Sequence, residues 1–269
     1  MLKAGIIGYG TLGKTIAELI ETGHAGNVEL KSVLVRRNKK PAEHAEKQAF
    51  AFTSDEDDFL NGNLDIIIES AGHEALQLFG DKVLANGSHL VVLSVGALGD
   101  TDFYKKLQAV ATQHNRQIFI PSAAIAGLDR IAAGALGEIE DITLITRKHP
   151  RSWKGTIAEE KVDLNMLTAP FCIYEGNARE SSRLFPQSVN VSAALSLAGI
   201  GFEDTKVKVY ADPTIQSNTH TIKAKGYFGE VEISVSNVPY HENPKSSPIV
   251  AMSVAKVLKN LTSPIVIGV

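Results

Sequence analysis

Apolar residues over roughly the first 120 positions come in short continuous blocks: KAGIIG, ELKSVLV, LDIIIES, HLVVLSV and RQIFIPS. Blocks without polar alternation suit strands buried on both faces, as in a parallel sheet. Between them stand TLGKTIAELIETG, HEALQLFGDKVLANG and DTDFYKKLQAVATQHN, whose apolar positions recur every three or four residues and predict helices. Asn86-Gly87 closes the second of these with a pair that stops a helix. The alternation predicts an α/β fold with a Rossmann-type doubly wound parallel sheet, a dinucleotide-binding domain over residues 1–122.

The rhythm changes after Pro121. AIAGLDRIAAGAL reads as a helix, and the strands DITLITRKHP, FCIYEG, TKVKVYADP and THTIKAKGYFGEVEISVSNVP then lie closer together. In the last of these, Tyr227-Phe228-Gly229 parts two alternating runs and predicts a hairpin. NARESSRLFP and NVSAALSLAG are helical patterns set between the strands. Residues 123–242 thus read as a second α+β domain, for substrate binding and dimerisation, on a mixed or antiparallel sheet. Asn and Pro precede an apolar-periodic helix in NPKSSPIVAMSVAKVLKNL, so residues 243–269 are expected to pack back onto the first domain. No internal repeat or low-complexity linker interrupts the chain.

Composition narrows the partners. A net charge of −3 over 269 residues, 21% of them charged, offers no broad surface for a polyanion, so nucleic acid is not expected. Cys172 is the single cysteine, which rules out an internal disulfide; in the apolar run PFCIYEG it is expected as a buried thiol rather than a nucleophile. MLKAGIIG enters a strand at once, without the basic region and apolar stretch of a secretion signal. No apolar run approaches the about 18 residues of a membrane span. A cytoplasmic protein without membrane partners is expected.

Gly8-Tyr9-Gly10-Thr11-Leu12-Gly13 carries the most information of any short stretch. A pyrophosphate must approach the backbone at a helix start, where unpaired N–H groups and the helix dipole favour its charge. Gly8 allows the tight turn, Gly10 leaves room for phosphate, and Gly13 lets helix and strand pack closely. The motif stands between a strand and a helix in a β/α repeat, as a nicotinamide dinucleotide, NAD or NADP, requires.

The end of the second strand bears on which of the two. A carboxylate there binds the 2′-hydroxyl of NAD and repels the 2′-phosphate of NADP. This chain has Arg36 and Arg37, which can grip a phosphate or stack on adenine, and NADP acceptance is the expectation; the alternative is that VRRNKK is a solvated turn. Ala71 and Gly72 in ESAGHE, with Ser94 and Ala97 in LSVGAL, lie at strand ends where such sheets place the ribose and nicotinamide.

The second domain must supply the proton chemistry. DPTIQSNTHTIKAKG reads as a strand from about Ile215, and a period of two puts Asn218 and His220 on one face. Such a pair is commonly an ordinary surface feature, yet hydride transfer from an amino or hydroxy acid calls for a group that titrates near neutrality. Asp212 can orient the imidazole, and Lys148 in TRKHPRSWKG can meet a substrate carboxylate or simply be solvated. The histidines show neither metal spacing nor a cysteine partner, so no metal is expected.

FPQSVNVSAALSLAGIGFEDTKVKVYADP, NTHTIKAKGYFGEVEISVSNVP and NPKSSPIVAMSV, with IIGYGTLG and PSAAIAGLD before them, resemble the L-aspartate dehydrogenase family over essentially the whole chain. The resemblance implies NAD(P)-dependent, reversible oxidation of L-aspartate to iminoaspartate, which yields oxaloacetate and ammonia or feeds NAD biosynthesis, by two-domain homodimers. It places the active-site histidine on His220 and cofactor contacts on Ala124 and Asn190. Lys148 matches a basic residue of the family, while His149 stands where other members have proline. The rival readings are a homoserine dehydrogenase-like or dihydrodipicolinate reductase-like enzyme, which share the glycine loop, and a non-catalytic NAD(P) sensor.

Overall fold

The structure is a computed structural model, and it describes residues 1–36, 48–185, 188–241, 243 and 246–268. The chain divides into two compact units, Met1–Ala123 with the segment from Pro248 onward, and Ala124–Ser247.

The first unit begins β1 (Leu2–Ile7), α1 (Thr11–Glu21), β2 (Val28–Leu34), β3 (Ala51–Thr53) and α2 (Glu56–Leu60). It continues β4 (Ile66–Glu69), α3 (His73–Ala85), β5 (His89–Val92), α4 (Thr101–Gln113) and β6 (Ile118–Phe119). Six parallel strands run in the order β3-β2-β1-β4-β5-β6, the reversal at β1 and β4 being that of a doubly wound sheet. Burial explains the continuous apolar blocks: all four residues of β4 are buried, as are four of six in β1. Two elements escaped the sequence pattern, β3 and α2, each too short to show a period. Asp55 nonetheless starts α2 by accepting a hydrogen bond from the Asp58 amide at 3.0 Å.

The second unit contains α5 (Leu128–Gly134), β7 (Ile139–Lys148), a 3-10 turn at Pro150–Trp153, α6 (Ala158–Lys161), β8 (Phe171–Asn177), α7 (Ala178–Leu184) and α8 (Val189–Ala198). After α9 (Gly201–Asp204) come β9 (Lys206–Ala211), β10 (Asn218–Gly226) and β11 (Gly229–Asn237). Its five strands form a mixed sheet in the order β11-β10-β7-β9-β8, with β7 and β9 parallel and the other pairs antiparallel. The β10–β11 hairpin turns at Tyr227-Phe228 between paired Gly226 and Gly229. One face of this sheet carries buried Ile142, Leu144, Val207, Val209, Ile222 and Ala224. On the other, ladders of short hydroxyls and ion pairs meet solvent, such as Thr221 with Ser234 and Lys223 with Glu232.

Three sequence expectations change here. The helix expected from Ala124 starts only at Leu128, because Gly127 is left-handed at φ +78° and a right-handed helix cannot run through it; the Ala124 carbonyl accepts from Asn237 Nδ2 at 2.7 Å instead. The strand expected from about Ile215 begins at Asn218, after the Asp212 carboxylate has drawn the Thr214 amide and hydroxyl into a local turn. Cys172 is exposed, not buried: it lies on the edge strand β8, where a bulge between Cys172 and Tyr174 breaks the inward alternation.

Finally α10 (Pro248–Thr262) belongs to the first unit, where it packs on α1 and buries Ala251, Val254, Ala255 and Leu258 in the core of Ile6, Ile16, Val33 and Ile68. No helix among the described residues is long and apolar enough to cross a membrane.

Candidate active site

In the first unit the C-terminal ends of the parallel strands open into a cleft of about 890 Å³, lined by Gly8, Tyr9, Gly10, Lys14, Arg36 and Ala71 among others. Gly8 has φ +94°, a conformation that L side chains avoid, and a Cβ there would lie 2.8 Å from that of Ala71. A Cβ on Gly13 would lie 2.2 Å from the Gly8 carbonyl oxygen, so helix and loop touch only because both are glycine. At Gly10 a Cβ would meet nothing within 4 Å: this position faces open space, as a phosphate-receiving position should. Thr11 and Leu12 form the first turn of α1, which has no capping side chain and no acidic residue, so its amides and dipole are available to an anion. These residues fit a dinucleotide. Arg36 is exposed and lines the cleft, whereas Arg37 lies outside the described residues.

A buried carboxylate that the sequence reading missed organises the far side of this cleft. Glu69, at the end of β4 and 1% exposed, accepts hydrogen bonds from the amides of Ala71 (2.7 Å), Gly72 (2.8 Å) and Ser94 (3.0 Å) and from the Ser94 hydroxyl (3.0 Å). One anion thereby ties the loop after β4 to the loop after β5, where Ala97 is also buried. Ser70 Oγ donates within reach of the Ile7 and Gly8 carbonyls, both at 3.1 Å, and pins the glycine loop to the same strand end. The signal for Glu69 was available, a lone charge closing the run DIIIES, but an apolar pattern cannot say what it bonds to.

In the second unit the register of two strands gathers what the sequence left apart. His220 of β10 stands directly opposite Thr146 of β7, and Thr146 Oγ1 lies 3.1 Å from His220 Nδ1. Two residues on, Lys148 shares the face of Thr146. Asn218, half-buried, shares the face of His220. His220 and Lys148 are 5% and 9% exposed, neither a surface pair nor a solvated lysine. Lys148 Nζ donates to Ser188 Oγ at 2.8 Å and sits 5.1 Å from the ring of Trp153, itself fully buried and fixed by its Nε1 bond to the Tyr210 carbonyl at 3.1 Å. Ser188 is the N-cap position of α8 but makes no side-chain capping bond, and Asn190, exposed, lies in the first turn of that helix. Ala124 is held by Asn237, as above. The His149 imidazole accepts the Arg151 amide at 3.3 Å as Pro150 opens the 3-10 turn, so this non-proline residue shapes its loop by capping.

Two expectations about the chemistry are corrected. Asp212 does not orient the imidazole: its carboxylate is taken by Arg147 at 3.3 Å and by Thr214, and Thr146 occupies His220 Nδ1 instead. Nor does His220 titrate near neutrality. Burial, with the Lys148 charge adding to it, pushes its pKa down to about 3, so the ring is neutral over the working range. Burial also lowers the Lys148 ammonium to about 8.

Comparison with known proteins agrees across the whole chain. A family model described as "Homoserine dehydrogenase, NAD binding domain" matches residues 8–121, and one described as "Aspartate dehydrogenase, C-terminal" matches residues 129–261. The L-aspartate dehydrogenase of Methanosarcina barkeri is 39% identical, covering 100% of each chain. That of Ralstonia pickettii is 37% identical over 97% of each. A solved structure of aspartate dehydrogenase from Thermotoga maritima superposes with a TM-score of 0.81 at 25% identity, covering 100% of both chains.

Proposed function

This chain belongs to the L-aspartate dehydrogenase family and is an NAD(P)-dependent amino-acid dehydrogenase, and from that premise we propose how its residues divide the work of oxidising L-aspartate to iminoaspartate. A dinucleotide held in the cleft of the first unit would supply the nicotinamide that accepts hydride. The amides at the head of α1 hold the pyrophosphate, with Gly8, Gly10 and Gly13 giving the backbone its close approach. Arg36, with Arg37 beside it in sequence, binds the 2′-phosphate and makes NADP acceptable. Ala71, Gly72 and Ser94 present the loop edges that Glu69 fixes, and Ala124 and Asn190 are the further cofactor contacts that the family resemblance implies.

Lys148 and Asn218 contact the substrate, and His220 touches the reacting group. A neutral imidazole, with Nδ1 engaged by Thr146, still has Nε2 to hydrogen-bond the amino group or the water that attacks the imine. The product imine yields oxaloacetate and ammonia or serves NAD biosynthesis, and the working form is a homodimer. The observation that carries this reading is the burial of His220 and Lys148 on one sheet face, in a chain matched end to end by L-aspartate dehydrogenases.

The test is the initial rate of nicotinamide reduction with L-aspartate, D-aspartate, L-glutamate and L-homoserine, each with NAD and with NADP. Turnover of L-aspartate alone is expected, with NADP at least matching NAD. A faster rate with L-homoserine than with L-aspartate, or silence with L-aspartate despite nucleotide binding, would overturn it.

A further inference from the structure

Oxidation of an amino acid at Cα cannot start from its ammonium form, because the nitrogen lone pair that becomes the second C–N bond is occupied by a proton. A base must take that proton. Residue type points to histidine, but the geometry points elsewhere. With Nδ1 of His220 engaged by Thr146, only Nε2 is left to meet the substrate, and burial beside the Lys148 charge makes the ring a weak base. Lys148 stands two residues along the same strand face from Thr146, with its amine buried and within hydrogen-bond reach of Ser188. Among the described residues no carboxylate forms an ion pair with it, and its hydrogen-bond partner Ser188 is uncharged.

We propose that Lys148 is the proton acceptor of the oxidation, a role that rests on the L-aspartate dehydrogenase reading. The neutral Lys148 amine takes one proton from the substrate ammonium and becomes an ammonium itself. The Cα–H bond then breaks, its electron pair leaving as hydride for the oxidised nicotinamide, while the nitrogen lone pair forms the C=N bond. A protonated imine and a reduced nicotinamide result, and Lys148 returns its proton to water before the next turnover. His220 then works beside it as a neutral hydrogen-bonding group.

The surroundings suit this exchange. Of the charged groups nearby, Arg147 and Asp212 neutralise each other, and His149 is tied to the Arg151 amide. From β10 the facing titratable group is neutral His220; from α8 and the 3-10 turn, uncharged Ser188 and Trp153 meet the amine. Burial brings Lys148 to about 8, low enough to be partly unprotonated at working pH. Substrate carboxylates close by then favour the ammonium form, which raises the basicity of Lys148 at the moment it must accept a proton.

The experiment compares kcat/KM for L-aspartate against pH in the parent, Lys148→Ala and Lys148→Arg, with nucleotide dissociation constants measured on each as the check on folding. Expected are a parent profile rising with a midpoint at about 8, as the free-enzyme group of that value predicts. Both variants should fall by a factor of about 10² to 10⁴ and lose that midpoint, with nucleotide affinity close to the parent's. Arginine keeps the charge but cannot give up its proton, so it separates a base from a mere anchor for a carboxylate. Methylamine should restore Lys148→Ala in proportion to the free-amine fraction. Independently of turnover, enzyme labelled with [ε-13C]lysine should show one resonance titrating near 8 that is missing from Lys148→Met. Activity of Lys148→Arg within about threefold of the parent, an unchanged profile in Lys148→Ala, or a Lys148 resonance that titrates only at the ordinary lysine value would overturn the assignment. Silence of the parent towards L-aspartate would sink the enzyme reading and this role with it; an active parent with any of those Lys148 results sinks this role alone.

Discussion

In the first unit the candidate nucleotide site is largely backbone: glycines that let loop and helix touch, amides at the head of α1 with no capping side chain, and loop edges that Glu69 fixes by accepting from the Ala71, Gly72 and Ser94 amides, with Arg36 as the charged side chain in the cleft. In the second unit the candidate reaction site is side chains, with His220, Thr146, Lys148 and Ser188 meeting across β10, β7 and the cap of α8. The difference follows from the tasks. A pyrophosphate offers many equivalent oxygens and is served by any properly placed row of N–H groups. Proton transfer needs particular groups with particular proton affinities, and these come from side chains whose solvation the fold controls.

The sharpest division between the two sites is expected from His220→Ala. It should lower kcat by about 10²- to 10⁴-fold while leaving the nucleotide dissociation constant nearly unchanged. Turnover close to the parent rate in steady-state assays would mean the imidazole is structural, and the contrast between the units would lose its chemical half.

Glu69→Ala tests the other half. It removes the acceptor shared by the Ala71, Gly72 and Ser94 amides, Ser94 being buried, and should cost the first unit about 2–4 kcal/mol, read as a lower melting temperature. Nucleotide affinity should weaken with it by about tenfold, the loops having lost their common tie. Unchanged affinity in a calorimetric titration would show that the loops hold without the carboxylate.

A smaller effect comes from the buried amine. Because Lys148 has a folded value of about 8 against an ordinary 10.5, the folded state binds fewer protons than the unfolded one between those limits, and stability rises with pH through that window. Below it the cost of the buried ammonium is fully present. Lys148→Met should therefore melt about 2–6 °C above the parent at neutral pH, with the gap closing as pH approaches 10.5. His220 adds an acid limb of the same sign: stability falls as pH drops from 6.5 towards about 3, where the buried ring must take a proton. A melting temperature flat from pH 7 to 10 in the parent would contradict the first of these.

The mildest change is expected from Arg36→Ala, which should raise the KM for NADP by about tenfold with little effect on NAD. Equal changes for both would make the arginine a general phosphate contact, and no change would leave it a solvated turn.

Much of the first unit was legible in sequence because its information is local. Strand, glycine turn and helix start all fall within Leu2–Glu21, and the buried strands of a parallel sheet show as unbroken apolar runs. The short β3 and α2 were not legible, since three and five residues carry no period. Cys172 looked buried because its neighbours are apolar, and a bulge at a sheet edge reversed that. In the second unit Asn218 and His220 could be placed on one face from the alternation of β10, but their partners could not.

What the sequence determined by itself was the kind of machine: an α/β unit followed by an α+β unit, a glycine loop for a dinucleotide, and the residues that mark its family. What only the tertiary structure decided was which groups meet and in what state. Thr146 rather than Asp212 holds His220 because the β7–β10 register sets one opposite the other, 74 positions apart in the chain. Lys148 is a low-affinity base for protons rather than a solvated cation because α8 and Trp153 close over it. Residue type sets the range of chemistry a side chain can perform; solvation and neighbours, which are properties of the folded state, select the point within it.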